Sequence, residues 1–245
     1  MDSEFLVFVL VGFIAELIDG SLGMAYGVTS TTFLLSLGLP PATASASVHA
    51  SEIVTTATSG FFHLRFGNVK KEIVLRLLIP GVIGGVTGAY LLTEMPVSII
   101  KPIVTAYLIL MGSVIVYKAF RPLRGESHTP MVPLGLIGGF FDAIGGGGWG
   151  PIVTSTLVAR GNQPRFVVGS VNLAEFFVTV SESIAFFLTI GLVHWKIIVG
   201  LMAGGVVAAP VAAIMAKRLL VKPFMIIVGL LIILVSVRNL YLALF

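Results

Sequence analysis

The sequence predicts an all-α polytopic membrane protein made of two inverted repeats, each a broken or re-entrant helix pair followed by three transmembrane helices. Hydrophobic residues are 57% of the 245 and charged residues only 11%, with a mean hydropathy of +1.07; a soluble domain carries about 25% charged residues. The chain also repeats itself. Gly12, Asp19, Gly23, Gly27, Thr31, Gly38, Pro41, Ser47, Glu52 and Thr56 recur as Gly135, Asp142, Gly146, Gly150, Thr154, Gly161, Pro164, Ser170, Glu175 and Thr179, an offset of 123 (142 − 19). Finally, the hydrophobic run is interrupted at the same place in each copy, at Asp19-Gly-Ser-Leu-Gly-Met-Ala-Tyr-Gly27 and Asp142-Ala-Ile-Gly-Gly-Gly-Gly-Trp-Gly150. Unwound backbone and carboxylates are tolerated at membrane depth only where protein or a cavity shelters them, so paired breaks point to a buried transport site.

The 245 residues leave room for roughly six to ten crossings of about 20 residues each, and none for a separate soluble domain. Residues 1–124 form the first repeat and 125–245 the second. Each divides into four hydrophobic pieces: Phe5 to Leu39, Thr43 to Leu64, Ile73 to Leu92 and Ser98 to Ala119, then Val132 to Ala159, Phe166 to Ile190, Ile197 to Ala216 and Phe224 to Leu244. The last three of each set suit one crossing apiece. Met1-Asp2-Ser3-Glu4 lacks the basic start of a signal peptide, so the first apolar run is expected to be retained.

Basic residues orient the copies. If the regions around Arg65 to Arg76, Lys118 to Arg124, Arg160 with Arg165, and Lys217 to Lys222 are cytoplasmic, 12 of the 15 lysines and arginines lie inside, leaving Lys101, Lys196 and Arg238. Both termini are then extracellular or periplasmic. The interrupted piece must start and end on one side, as a re-entrant hairpin or two short crossings. Phe5 to Ile18 is about 21 Å as a helix and Gly27 to Leu37 about 16 Å, each short of a bilayer core of about 30 Å. The rival layout, one crossing per interrupted piece, gives eight helices in parallel repeats and scatters the basic residues.

Gly145 to Gly148 allow backbone angles closed to other residues, and Pro151 suits the first turn of a following helix. A helix amino end buried there offers N–H groups and positive dipole to an anion. The alternative use of glycine is close helix packing. Phe141-Asp142-Ala143-Ile144-Gly145-Gly146-Gly147-Gly148-Trp149-Gly150-Pro151, with a Gly-x-x-Pro turn at Gly161 to Pro164, resembles the signature of the TauE/SafE family of sulfite and organosulfur exporters. The resemblance implies export of a small sulfur-containing oxyanion across a prokaryotic cytoplasmic membrane. The first copy departs from the signature, lacking both the glycine run and the proline.

The solute-binding candidates are Ser21, Gly23, Tyr26, Gly27, Ser47, Gly145, Gly146, Gly147, Gly148, Trp149 and Ser170. Glu16, Asp19, Glu52, Asp142, Glu175 and Glu182 lie within hydrophobic pieces, with no lysine or arginine at comparable depth. Glu52 follows His49 by three residues and Glu175 follows Asn172 by three, placing each pair on one helix face. Asp19, His49, Glu52, Asp142, Asn172 and Glu175 are therefore the candidates for proton coupling or site organisation, with helix capping as the alternative for the two aspartates. Ser47, Ser170, Thr56 and Thr179 either face the solute or bond to their own helix. Tyr26 and Trp149 line the breaks or simply pack. His63 and His194 sit near segment ends and His128 in the central loop.

Absence of cysteine excludes disulfides and thiolate sites, and the histidine spacing gives no metal motif. The pI near 9.5 comes from basic residues scattered at segment ends rather than a nucleic-acid stripe. No Gly-x-Ser-x-Gly or Walker pattern appears, so energy is expected from a gradient or a partner, without a cofactor. The leading reading is a secondary carrier of a small anionic solute in the lipid bilayer; a cation or proton pathway through the carboxylates and a membrane-embedded enzyme using His49 and Glu52 are the alternatives.

Overall fold

The structure, a computed structural model, describes residues 3–120, 129–191, 194–215 and 221–244. The expected repeat boundary at 124/125, together with Arg121, Arg124, His128, Lys217 and Arg218, lies outside the described residues. Those residues form ten α-helices and no strand: α1 Ser3–Leu22, α2 Tyr26–Ser36, α3 Pro41–Arg65, α4 Lys71–Glu94, α5 Val97–Ala119, α6 Met131–Gly145, α7 Ser155–Ala159, α8 Pro164–Ile190, α9 Trp195–Met215 and α10 Val221–Leu244. A π-helical turn, Gly150–Thr154, leads into α7. Six helices are long and apolar enough to cross a membrane: α1, α4, α5, α8, α9 and α10.

Local sequence sets the ends. Pro41 and Pro164 open α3 and α8 in the first turn, where a missing N–H breaks no intrahelical bond. Gly38 and Gly161, at φ of 89° and 86°, turn the chain just before them. Helix α3 is the polar exception among the long helices. Its Ser45, His49, Ser51, Glu52, Thr55, Thr56 and Ser59 are all buried, which is tolerable because α8 and α9 pack over it.

One expectation needs correction. Helix α1 does not stop at Ile18 but continues through Asp19 to Leu22, 20 residues or about 30 Å, which is long enough to cross unaided. The Ser21 hydroxyl donates back to the carbonyls of Leu17 and Ile18, so the chain stays helical until Gly23. Likewise α6 runs through Asp142 to Gly145. Both aspartates therefore sit in the last turns before the breaks, not within them.

The two halves pack by exchange. Helix α1 lies parallel to α9, and α6 lies parallel to α4; each first helix rests on the fourth helix of the other half. Glycine allows the approach. A Cβ on Gly204 would lie 1.9 Å from the Val9 carbonyl oxygen, and one on Gly84 would lie 2.2 Å from that of Leu136. Corresponding helices α3 and α8 run antiparallel, with Ser59 beside Asn172 and His49 beside Glu182. Helices α5 and α10 do the same, Gly112 facing Ile232 and Ile233 while Val116 faces Gly229. In lipid such seams are held by close van der Waals contact rather than by hydrophobic burial.

The seams make a prediction. Gly204→Leu and Gly84→Leu should each destabilise the detergent-solubilised protein by about 1–3 kcal/mol or more through overpacking, seen as a lower thermal unfolding midpoint. Gly38→Asn, in open space at φ 89°, should leave the midpoint nearly unchanged. Equal midpoints for all three would refute backbone contact along the seams.

Candidate functional site

The two breaks meet each other. In the first, Gly23 and Ala25 take left-handed angles, φ of 68° and 90°; in the second, Gly146 and Gly147 do so at 62° and 146°. For Ala25 that conformation costs about 1–2 kcal/mol, so the surrounding contacts must enforce it. Gly27 abuts the second break: a Cβ there would lie 2.5 Å from the Gly146 oxygen and the Gly147 Cα. Gly150 abuts the first in the same way, 2.5 Å from the Met24 Cα. The Thr31 hydroxyl donates to the Gly146 carbonyl at 2.7 Å and ties α2 of one half to the break of the other.

The amino ends of the short helices already have anionic partners. Asp142 Oδ1 accepts from the backbone N–H of Gly148 at 2.6 Å and of Trp149 at 2.9 Å. Asp19 takes the equivalent bond from the Tyr26 N–H. Each half thus caps its own short helix with its own carboxylate, and the amino ends are not open to solute in this conformation. Gly145 and Gly148 serve a different end: both seat Tyr107 of α5, whose ring stacks on Phe141 at 5.3 Å.

Tyr26 and Trp149 act as matched wedges. The Tyr26 hydroxyl lies 3.1 Å from Ser51 Oγ and 3.4 Å from the Leu201 carbonyl oxygen, with the ring beside Gly205. Trp149 donates from Nε1 to the Val171 carbonyl at 3.3 Å, and its ring fills the space left by Gly81. Three of the expected hydroxyl donors turn elsewhere. Ser21 bonds to its own helix, as does Ser47, to Thr43; Ser170 bonds to Phe166 and accepts the Lys70 N–H, holding the start of α4.

Around the breaks the structure gathers all six intramembrane carboxylates and His49. Glu16, Asp19, Glu52, Asp142, Glu175 and Glu182 are each at most 5% exposed, and His49 is 0%. They lie close enough to act on one another: Glu52 feels His49, Asp142, Asp19 and Glu182, and Glu175 feels Asp19, Glu52, Asp142 and Glu16. His49 Nε2 stands 2.8 Å from Glu182 Oε2 and 3.6 Å from Asp142 Oδ2. Its Nδ1 faces the Ser45 carbonyl at 2.7 Å, while Ser45 Oγ donates to the Ala143 carbonyl of α6. Asn172, the repeat counterpart of His49, donates to Ser59 Oγ at 2.9 Å.

His49, Asp142 and Glu182 bring one ring nitrogen and two carboxyl oxygens within 4.8 Å of one another. Linear spacing hid this trio because tertiary packing assembles it from α3, α6 and α8. Glu16 and Glu182, noted in the sequence only as intramembrane carboxylates, and Tyr107 are the site residues absent from the sequence-based candidates. Glu182 carried one signal, its position seven residues and two turns after Glu175 on the same helix face. Lys118, assigned to a connecting loop, instead folds inward, and its Nζ reaches Ser155 Oγ and the Pro151 carbonyl.

With this geometry in hand, comparison with known proteins gives a consistent picture. The family described as sulfite exporter TauE/SafE matches residues 8–239. A Bacillus subtilis protein named probable membrane transporter protein YtnM is 45% identical over 97% of this chain and 83% of its own length. A Haemophilus influenzae protein named probable membrane transporter protein is 27% identical over 89% of each chain. No solved structure matches.

The capping role of Asp142 is testable by stability. Asp142→Ala strands two buried N–H groups and should cost about 0.5–2 kcal/mol, whereas Asp142→Asn keeps an acceptor oxygen and should lose much less. Equal shifts of the thermal midpoint for the two variants would rule out the cap.

Proposed function

Since the chain belongs to the TauE/SafE sulfite exporter family, a family of multi-pass membrane transporters, we propose that it is a secondary transporter exporting a small sulfur-containing oxyanion, sulfite or an organosulfonate, across a prokaryotic cytoplasmic membrane. The halves 1–124 and 125–245 act as inverted repeats that rock about the paired breaks to expose the centre to each side in turn. The observation carrying this reading is the contact of Gly27 with Gly146 and Gly147 amid capped helix ends. Separation of the breaks exposes Gly23, Gly27 and Gly145 to Gly148, and an oxyanion that displaces the Asp19 and Asp142 caps accepts hydrogen bonds from the freed N–H groups. Tyr26 and Trp149 move with the ends they brace. The antiparallel course of α3 against α8, and the gathering of Arg165 with the α3–α4 turn and of Lys222 with Phe120, support inversion with the basic ends inside and both termini outside.

The carboxylates supply the coupling. Six such groups enclosed with one imidazole cannot all carry charge beside an incoming anion, so the cluster holds protons, and proton binding and anion binding favour each other by linkage. Glu52 and Glu175, one per half, stand on facing helices to exchange them. With a dianion such as sulfite, a complex carrying one proton stays negative, and an inside-negative potential favours its exit by about 2.3 kcal/mol per charge per 100 mV.

Proteoliposomes carrying the purified chain should release labelled sulfite faster than protein-free vesicles, with release stimulated by an inside-negative potential. Gly27→Val, which wedges the breaks apart, should reduce the protein-dependent flux at least tenfold. Absence of flux for sulfite, sulfonates and sulfate alike, with cation flux dependent on Glu52 and Glu175, would replace this reading with a cation pathway.

A further inference from the structure

We propose that His49 and Glu182 together hold one transported proton, and that this pair replaces, at one of two equivalent α3–α8 contacts, the proton-inert contact made by Asn172 and Ser59 at the other. The inference rests on the transport reading above and deepens it by adding to Glu52 and Glu175 a proton-holding pair that is present at only one of two equivalent contacts.

A hydrogen bond at one ring nitrogen and an ion-pair distance at the other locate the proton. The Ser45 carbonyl can only accept, so His49 Nδ1, 2.7 Å away, carries a hydrogen and donates it. Nε2 then stands 2.8 Å from Glu182 Oε2 with both residues fully buried, an ion-pair distance in which neither atom makes an aligned hydrogen bond. Two bare acceptors would repel at that distance. One proton held by the pair relieves that repulsion, written either as imidazolium with carboxylate or as imidazole with carboxylic acid. Ser45 is itself anchored to α6 through the Ala143 carbonyl, which holds the ring in place. Gly85 of α4 makes room for the carboxyl, since a Cβ there would lie 2.3 Å from Glu182 Oε1. The other titratable groups acting on the pair are Asp142 of α6 and Glu52 of α3. Asp142 Oδ2, aimed at His49, has no hydrogen-bond partner of its own.

The repeat shows what is special about this contact. Adding 123 to 49 gives Asn172, and adding 123 to 59 gives Glu182. The bond from Asn172 to Ser59 at 2.9 Å is therefore the counterpart of the His49–Glu182 contact, made between the same two helices by groups that do not titrate. Loss of the proton to water sets Nε2 against a carboxylate and opens one contact; the other persists. Protonation from water on the opposite side closes it again, with only an N–H or O–H bond made and broken. Proton exchange thus biases a single step of the rocking motion.

Two measurements on the full chain test this. Nitrogen-15 resonances of the four histidines in detergent, with His49 assigned by its loss in His49→Asn, should show a protonated Nε2 at neutral pH in the wild type. In Glu182→Gln the Nε2 should become a bare acceptor, while Ser59→Ala should leave it unchanged. In proteoliposomes loaded with a pH dye, sulfite should carry protons with it through the wild type. Glu182→Gln should lose at least tenfold of that proton movement while sulfite–sulfite exchange continues, a split that a misfolded variant would not give. An unaltered His49 spectrum in Glu182→Gln, or sulfite-linked proton movement within twofold of wild type, overturns the proposal. If the wild type moves no sulfite, the substrate reading falls, and the nitrogen-15 spectra alone decide whether the pair holds the proton.

Discussion

Backbone meets backbone at the centre of this protein, and much of the arrangement around it is a consequence. Gly27 can touch Gly146 and Gly147 only because none of the three carries a side chain, and the contact needs left-handed turns at Gly23, Ala25, Gly146 and Gly147. Such turns strand N–H groups far from water, and Asp19 and Asp142 answer that need from the last turn of the preceding helices. Carboxylates at that depth require partners in turn. The polar helix α3 supplies His49, and its own polarity is tolerable only inside the bundle. A chain of requirements thus leads from two breaks to a buried titratable centre.

The exchanged packing gives that centre its leverage. Helix α1 is built into the second half through α9, and α6 into the first through α4, so neither break can shift alone. Tyr26 bears on α9 beside Gly205, and Trp149 bears on α4 beside Gly81. Motion of one break is thereby delivered as a wedge against a long helix. On the proposed transport reading, this converts a local separation of a few glycines into a relative rotation of the halves. Rigid seams favour two discrete arrangements over gradual deformation.

Much of this was legible in the sequence, for identifiable reasons. The pieces Thr43 to Leu64, Ile73 to Leu92, Ser98 to Ala119 and Phe166 to Ile190 fall within a few residues of α3, α4, α5 and α8, because length and hydropathy define a crossing. The breaks were visible because glycine and aspartate together are rare at depth. The true end of α1 was hidden, since Asp19, Gly20 and Ser21 read as breakers while the Ser21 back-bonds keep them helical. The trio of His49, Asp142 and Glu182 was hidden more deeply. Antiparallel α3 and α8 bring residue 49 to residue 182, a pairing that a search at the repeat offset of 123 cannot return. Tyr107 was missed because the glycines that seat it look, in sequence, like space for a ligand.

Departures from the repeat are as informative as its matches. Lys118 reaches Ser155 in one half; the matching contact in the other is Asn239 to the Thr32 carbonyl. His49 with Glu182 is matched by Asn172 with Ser59 at the spacing of 123. In each case the geometry has a counterpart and the charge does not. Two halves with identical contacts would give end states of equal intrinsic free energy. Placing an ionisable group in only one of two equivalent contacts makes the free-energy difference between those states depend on proton concentration or on a bound anion. On the proposed transport reading, the duplicated scaffold sets which two arrangements are available, and the unmatched charges make the balance between them depend on proton concentration.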